Sequence, residues 1–213
     1  MGSQKLSRGR FGGRCLGCAV ALGLIAFGCA PDYVTNNSAP VNFYVAGVTA
    51  SSGAAVLDSD VRSGSSQYAD GSGPLFVCED YATVDVAVRN KNPLGPTPNA
   101  AEAVIVDSYV VRYFRTDGRG VEGVDVPYRI TGSLTAQVDV ATSGTTGIPI
   151  EVVRHQAKSE PPLSTIEQTV VLTMFAEVTL YGKTIAGERV SGSGRLQINF
   201  ADFGDDLTAC EGL

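Results

Sequence analysis

The chain has 213 residues, of which 44% are apolar and 18% charged, with 22 acidic side chains against 16 Lys and Arg. That balance excludes a long disordered chain, which requires low hydrophobicity and high charge. The formal charge of −6 argues against nucleic acid as a partner, because phosphates are neutralised by clustered Lys and Arg. The length suffices for one large domain with its own core.

The first 28 residues have the pattern of an export signal. Residues 1–14 carry four cations and no acid, and residues 15–30 then contain no charge. A positive start followed by an apolar stretch and small residues is typical of a secretory signal peptide. The uncharged stretch is shorter than the roughly 20 residues that cross a bilayer as a helix. The sequence therefore predicts a signal peptide over 1–28.

The end of that segment resembles the lipobox of bacterial lipoproteins. It reads Ala26-Phe27-Gly28-Cys29, and Gly28 and Cys29 fit the pattern of that family. The resemblance implies that Cys29 is lipidated and that the lipid attaches the protein to a membrane. Ala30, in place of an Asp, implies the outer membrane, with the domain facing the periplasm or the surface. Ordinary cleavage after Gly28 or Ala30 is the alternative and would give a secreted soluble protein.

The use of cysteine supports export. Cys15 and Cys18 lie within the signal, so Cys78 and Cys210 remain besides the lipidation candidate. An even number of thiols in an oxidising compartment predicts a disulfide between these two. The bond would close a loop of about 130 residues, worth about 4–5 kcal/mol in the chain-entropy model. Two separate buried thiols are the alternative.

The rest of the chain divides into a tether and one domain. Residues 29–40 are polar and contain Pro near both ends, which predicts a tether that holds the domain off a membrane. Residues 41–213 contain runs rich in Val, Ile, Thr, Tyr and Phe between turn residues, which predicts strands. The predicted strands are 41–48, 54–58, 83–90, 103–115, 133–140, 147–154, 169–181 and 189–200, with a hairpin turn at 182–188. Residues 49–75 are rich in Ser, Gly and Asp, which predicts a loop or an irregular sheet edge.

The last two strands have the clearest pattern. Residues 189–200 alternate between apolar or small and polar side chains, which predicts one buried and one solvated face. Gly192 and Gly194 on the inner face predict a bulge or a close backbone approach. Residues 169–181 alternate too, and their length predicts a bend or a bulge near Phe175.

The number and spacing of the strands predict the fold class. Residues 104–115 are apolar on both parities, which is typical of a central strand covered on both faces. No segment keeps a helical period over three turns. Seven to nine short strands separated by turns therefore predict a single, all-β, two-sheet antiparallel sandwich of the immunoglobulin-like type. A closed barrel is the alternative.

Most catalytic constellations are excluded by composition. His155 is the only histidine, so a multi-histidine zinc site and paired histidine acid–base chemistry are excluded. No Gly-x-Ser-x-Gly elbow is present for a hydrolytic triad. His155 is predicted to be a solvated residue at a strand end. The sequence thus predicts a protein that is not an enzyme and that needs no cofactor.

The acidic residues offer one possible metal site. Asp202, Asp205 and Asp206 cluster after the last strand, and calcium prefers such loop carboxylates. They are weak calcium candidates, because their spacing matches no EF-hand loop and solvated acids in turns are the competing interpretation. Carboxylates from different loops could also form a glycosidase pair. Further loop acids are Asp58, Asp60, Asp70, Asp117, Glu122 and Asp125.

Several aromatic residues are candidates for a platform that stacks against sugars. The candidates are Tyr109, Tyr113, Tyr128, Tyr181 and Phe203. Packing in the core or at its rim is the competing interpretation for each, and the chain contains no Trp.

These features predict a non-catalytic binding or structural module of the cell envelope, displayed on a membrane tether. Its lipobox-like start and strand-rich body, including AEVTLYGKTIAGERVSGSG, resemble small bacterial surface lipoproteins with an immunoglobulin-like sandwich. The expected partners are the membrane, through the lipid, and an envelope protein or a glycan, but no nucleic acid. The alternative is a carbohydrate-binding or hydrolase accessory domain that uses loop carboxylates, with calcium.

Overall fold

The computed structural model describes residues 39–62, 77–92, 94, 99–141, 143–166 and 170–203. Their regular secondary structure consists of strands, one short helix and two 3-10 turns. The strands are β1 (Val41–Ala50), β2 (Val56–Asp60), β3 (Asp80–Asn90), β4 (Val104–Arg115), β5 (Ile130–Val138), β6 (Thr146–Val153), β7 (Leu172–Thr184) and β8 (Arg189–Ala201). The helix is α1 (His155–Lys158), and the 3-10 turns are Ala100–Glu102 and Leu163–Thr165.

The strands form two sheets that pack as a sandwich. One sheet has the order β1-β3-β6, and the other has the order β2-β8-β7-β4-β5. This is the immunoglobulin-like arrangement, with β1, β3 and β6 in the places of strands A, B and E, and β8, β7 and β4 in those of G, F and C. The predicted all-β sandwich is confirmed.

One edge departs from the predicted antiparallel arrangement. β2 pairs with β8 in parallel, from Val56 opposite Gln197 to Asp60 opposite Ala201. The connection 51–55 carries the chain from one sheet to the other without reversing its direction, so β2 arrives running alongside β8. The strictly antiparallel prediction was therefore wrong at this edge.

The core lies between the two inner faces. Val84, Val86 and Val88 of β3 are fully buried, as their alternation predicts. Tyr113 of β4 is buried too, and its hydroxyl donates a hydrogen bond of 2.7 Å to the carbonyl of Val152 on β6. This bond joins the two sheets through the core.

The inner face of β8 is shaped to receive β1. A Cβ atom at Gly194 would lie 2.7 Å from Val45 Cγ1 and 2.8 Å from Val48 Cγ2. A Cβ atom at Gly192 would lie 3.3 Å from the ring of Phe43. The predicted close approach at these glycines is confirmed.

Two expectations about strand shape were wrong. β7 keeps an unbroken register with β8 from Leu172 to Lys183, so it has no bulge near Phe175. β7 is paired on both sides along most of its length, and the irregularity lies instead on β4, between Val106 and Ser108. β4 is central in its sheet as predicted, but its outer face is open, since Phe114 is 42% exposed.

The connection from β6 to β7 closes one end of the sandwich. It contains α1 and the 3-10 turn at Leu163–Thr165, and both Lys158 and Leu163 are buried. A helix of four residues has too few turns to produce a hydrophobic period, so the sequence did not predict it. None of the helices in the described part of the chain has the length and apolar character needed to cross a bilayer.

Candidate functional site

The outer face of the five-stranded sheet carries polar and aromatic side chains in cross-strand rows. Side chains that point away from the core on neighbouring strands lie next to each other across the sheet. The rows are Ser108–Tyr181–Ser191, Val110–Thr179–Ser193, Arg112–Glu177–Arg195, Phe114–Phe175–Gln197 and Thr173–Asn199–Asp58. These rows are called the outer face below. It is a surface of alternating small, charged and aromatic groups rather than an enclosed pocket.

An aromatic pair lies near one end of the outer face. Phe114 and Phe175 are direct cross-strand partners, and both rings are accessible to solvent. The guanidinium of Arg195 lies 5.9 Å from the ring centre of Phe114, within the range of a cation–π contact. Arg195 also pairs with Glu177 at 2.8 Å. The Arg195 side chain therefore crosses β7 and is held in place beside the aromatic pair.

A hydrogen-bonded network adjoins the aromatic pair. Asn199 Nδ2 donates to Asp58 Oδ1 at 2.9 Å. The Oδ1 atom of Asn199 accepts from Thr173 Oγ1 at 3.0 Å and from Gln197 Nε2 at 3.3 Å. The network spans β2, β8 and β7, so it fixes amide, hydroxyl and carboxylate groups at set positions. Groups that are fixed before binding lose less entropy when a ligand contacts them.

A buried charged cluster lies on the other side of β2. Lys158 Nζ is 2.9 Å from Asp80 Oδ2, and the two side chains are 1% and 17% exposed. Lys158 also donates to the carbonyl of Asp60 at 2.7 Å, and Ser59 Oγ donates to Asp80 Oδ2 at 2.6 Å. These four residues are called the buried cluster below. Burial raises the pKa of the Asp80 carboxyl above its usual value, and Lys158 and Ser59 oppose that rise.

The calcium candidates are only partly described. Asp202 follows β8 and lies close to Asp60, whose pKa is raised chiefly by burial and also by the charge of Asp202. Asp205 and Asp206 lie outside the described residues. Within the described ranges, no three His, Cys, Asp or Glu side chains are placed to hold a metal ion. Calcium binding at the three aspartates stays a prediction.

The acids of the β4–β5 connection are engaged in local ion pairs. Asp117 accepts hydrogen bonds from Arg119 and Arg115, which hold the pKa of its carboxyl well below the usual range. Glu122 pairs with Arg129 at 2.9 Å. These contacts shape an exposed turn, and they do not bring the acids to the outer face.

The predicted aromatic candidates separate into two groups. Tyr109 and Tyr113 are buried on the inner face, whereas Tyr181 lies on the outer face and is 42% exposed. Tyr128 is 59% exposed on the β4–β5 connection, and Phe203 follows β8 with partial exposure. Only Tyr181 among the five belongs to the outer face.

Sequence reasoning missed the aromatic pair and the amide network. Phe114 belongs to a strand that the sequence predicts to be covered on both faces, and Phe175 lies where the sequence predicts a bend or a bulge. The period-two pattern of β8 places Asn199 on the solvated face, and this pattern was the signal that could have identified Asn199 as part of a surface site. The pairing with Asp58 was not predictable, because it depends on the parallel register of β2 and β8.

Of the other candidate residues, His155 and Cys78 lie in the described part of the chain. His155 is exposed, as predicted, and it begins α1 two residues after the end of β6. Cys78 is buried shortly before β3. Cys29 and Cys210 lie outside the described residues, so lipidation at Cys29 and the pairing of Cys78 with Cys210 stay predictions.

A small cleft is a weaker candidate than the outer face. It lies beside α1, between Tyr128 and Arg154, and has a volume of about 170 Å³. Pockets that enclose small molecules usually have at least about 300 Å³. The outer face therefore has the larger capacity for contact.

The fold and the outer face define an immunoglobulin-like β-sandwich with an open, polar and aromatic candidate binding surface. The chain matches no family model, no curated protein and no solved structure.

Proposed function

We propose that the protein is a non-catalytic binding module of the bacterial envelope and that its outer face binds a glycan. The observation that carries this proposal is the pair Phe114–Phe175 beside the network of Asp58, Asn199 and Thr173. A sugar ring presents an apolar face of C–H groups, which stacks on aromatic rings, and a rim of hydroxyls that exchange hydrogen bonds with amides and carboxylates. The two parts of the site match these two parts of the ligand.

The export signal is the basis for proposing that the protein presents this surface outside the cytoplasm. In the proposal residues 1–28 are removed, Cys29 is lipidated in the outer membrane, and residues 29–40 form the tether. β1 begins at the end of the sandwich where β3 ends, since Val41 pairs with Asn90. The Phe114–Phe175 pair lies toward the opposite end, where β3 begins. This placement supports the proposal, because it turns the aromatic pair away from the tethered end.

The predicted disulfide belongs to the same proposal. Cys78 is buried and lies two residues before β3. The backbone N–H of Phe203 donates to the Asp60 carboxylate, and Asp60 lies close to Asp80. Asp80 is only two residues from Cys78 in the chain. Seven further residues lead to Cys210, which at about 3.3 Å per extended residue is enough chain to return to Cys78.

Glycan binding is tested with two matched variants of the mature domain. We expect the wild type to bind members of an array of bacterial surface glycans and peptidoglycan fragments. The variant Phe114→Ala/Phe175→Ala should weaken binding about 5- to 150-fold, because it removes two stacking contacts worth about 0.5–1.5 kcal/mol each. Tyr128→Ala removes an exposed aromatic ring outside the outer face and should bind like the wild type. Equal binding by all three proteins would refute the role of the outer face.

A calcium-dependent accessory role is the second candidate. The proximity of Asp202 and Asp60 at the end of β8 favours it. Calcium would then raise the melting temperature of the wild type, and the rise would disappear in Asp202→Asn/Asp205→Asn/Asp206→Asn. A melting temperature that does not change with calcium would remove this candidate and leave the first.

A further inference from the structure

The buried cluster places an amine in contact with a carboxyl group at a site nearly closed to water. Lys158 Nζ lies 2.9 Å from Asp80 Oδ2, and the carboxyl carbon is one bond further from that oxygen. The two residues lie far apart in the chain, on α1 and at the start of β3. The contact therefore joins the loop that closes the end of the sandwich to the three-stranded sheet.

This ion pair differs from the others among the described residues. The other ion pairs have Arg as the cation, and their Arg side chains are between 18% and 66% exposed. In the buried cluster the cation is a Lys that is 1% exposed. A lysine amine becomes a nucleophile when it loses its proton, whereas the guanidinium of Arg keeps its charge in proteins.

Burial disfavours the charged form of the Asp80 carboxyl. Removing a carboxylate and an ammonium from water is costly, and proton transfer within the pair relieves both charges. Burial raises the pKa of the Asp80 carboxyl, which is the direction that favours the neutral acid. One proton that moves between Nζ and Oδ2 converts the ion pair into an amine and a carboxylic acid. No proton enters or leaves the protein in this step.

We propose that Lys158 and Asp80 become joined by an intramolecular amide bond. The lone pair of Nζ attacks Cγ of Asp80, and a C–N bond forms. The C–O bond to one carboxyl oxygen then breaks, and that oxygen leaves as water with its own proton and one from Nζ. Nothing is oxidised or reduced, and no co-reactant is required.

The other two members of the buried cluster assist this reaction by position. Ser59 Oγ donates to Asp80 Oδ2 at 2.6 Å, the oxygen that takes the proton from Nζ, so it assists that oxygen in leaving as water. The Asp60 carbonyl lies 2.7 Å from Nζ, orients the amine and continues to accept a hydrogen bond from the amide N–H. The fold holds the two reactants together, which replaces a bimolecular encounter by a unimolecular step. The 17% exposure of Asp80 gives the water a way out.

Peptide mapping of the full chain tests the amide directly. The protein is produced with its own leader, purified, reduced, alkylated and digested with trypsin. We expect cleavage after Lys158 to be absent and residues 63–89 to be joined to residues 155–183 in one species lighter than the sum by one water. Fragment ions should locate the branch at Lys158 and Asp80. Separate peptides, with cleavage after Lys158, would overturn the proposal.

Two variants separate the amide from other losses of water. Aspartimide at Asp70-Gly71 or Asp117-Gly118 also removes one water, but it is opened by hydroxylamine and gives no branched peptide. Lys158→Arg keeps the charge, should remove the branched species and should leave all peptides at full mass. Lys183→Arg changes an exposed lysine on β7 and should keep the branch between residues 63–89 and 155–183, because trypsin cleaves after Arg as well as after Lys. A water deficit in the 63–89 peptide that persists in Lys158→Arg after hydroxylamine treatment would overturn the proposal.

Discussion

At the scale of single residues, Tyr113 makes a hydrogen bond that crosses the core from one sheet to the other. Tyr113→Phe removes the donor and leaves the buried carbonyl of Val152 without it. We expect the free energy of unfolding to fall by about 1–3 kcal/mol, the cost of an unsatisfied buried polar group. Urea denaturation measures this change. Tyr44→Phe, at an exposed tyrosine of β1, is the control and should have no measurable effect.

The same tyrosine predicts how stability changes at high pH. Burial raises the pKa of the Tyr113 phenol far above its usual value, which is about 10 in the unfolded chain. A group whose pKa is raised by folding contributes full stability below its unfolded pKa and loses it as the pH increases. Unfolding should therefore become easier above about pH 10, and more steeply in the wild type than in Tyr113→Phe. Identical slopes of stability against pH in the two proteins would contradict this role.

At the scale of secondary-structure elements, the glycines of β8 allow β1 to pack closely. Gly194→Val would place carbon atoms where Val45 and Val48 already lie. Overpacking of this kind costs about 1–3 kcal/mol, so the melting temperature should fall. Gly47→Ala on β1 is the matched control, because nothing lies within 4 Å of its Cβ position. A larger loss at Gly47 than at Gly194 would contradict the packing described for this interface.

The elements that the sequence predicted well are those whose signal is local. Val84, Val86 and Val88 alternate within one strand, and the period alone assigns their face. The parallel pairing of β2 with β8 and the bulge on β4 depend on partners far away in the chain, so a local pattern does not contain them. Helix α1 is too short to produce a period.

At the scale of the whole molecule, both sites are assembled from distant segments. The buried cluster combines Ser59, Asp80 and Lys158, and no motif spacing in the sequence relates these positions. The network of the outer face joins Asp58 to Asn199 in the same way. Fold class and strand positions were therefore predictable, whereas the two sites required the three-dimensional pairing of the strands.

The anchoring of the molecule is a separate prediction. Mass spectrometry of the N-terminus of the protein from a bacterial host should show an acylated Cys29. Cys29→Ser should release the protein from the membrane fraction, since the thiol is the attachment point of the lipid. An unmodified N-terminus at Cys29 or Pro31 would contradict lipidation.

The central claim is that the outer face is the binding surface, and chemical-shift mapping tests it most directly. A ¹⁵N-labelled domain is titrated with the glycan that binds best on the array. The shifts should concentrate on the outward residues of β4, β7 and β8, and above all on Phe114, Phe175 and Asn199. Shifts that concentrate on the cleft between Tyr128 and Arg154, with none on the outer face, would contradict the claim.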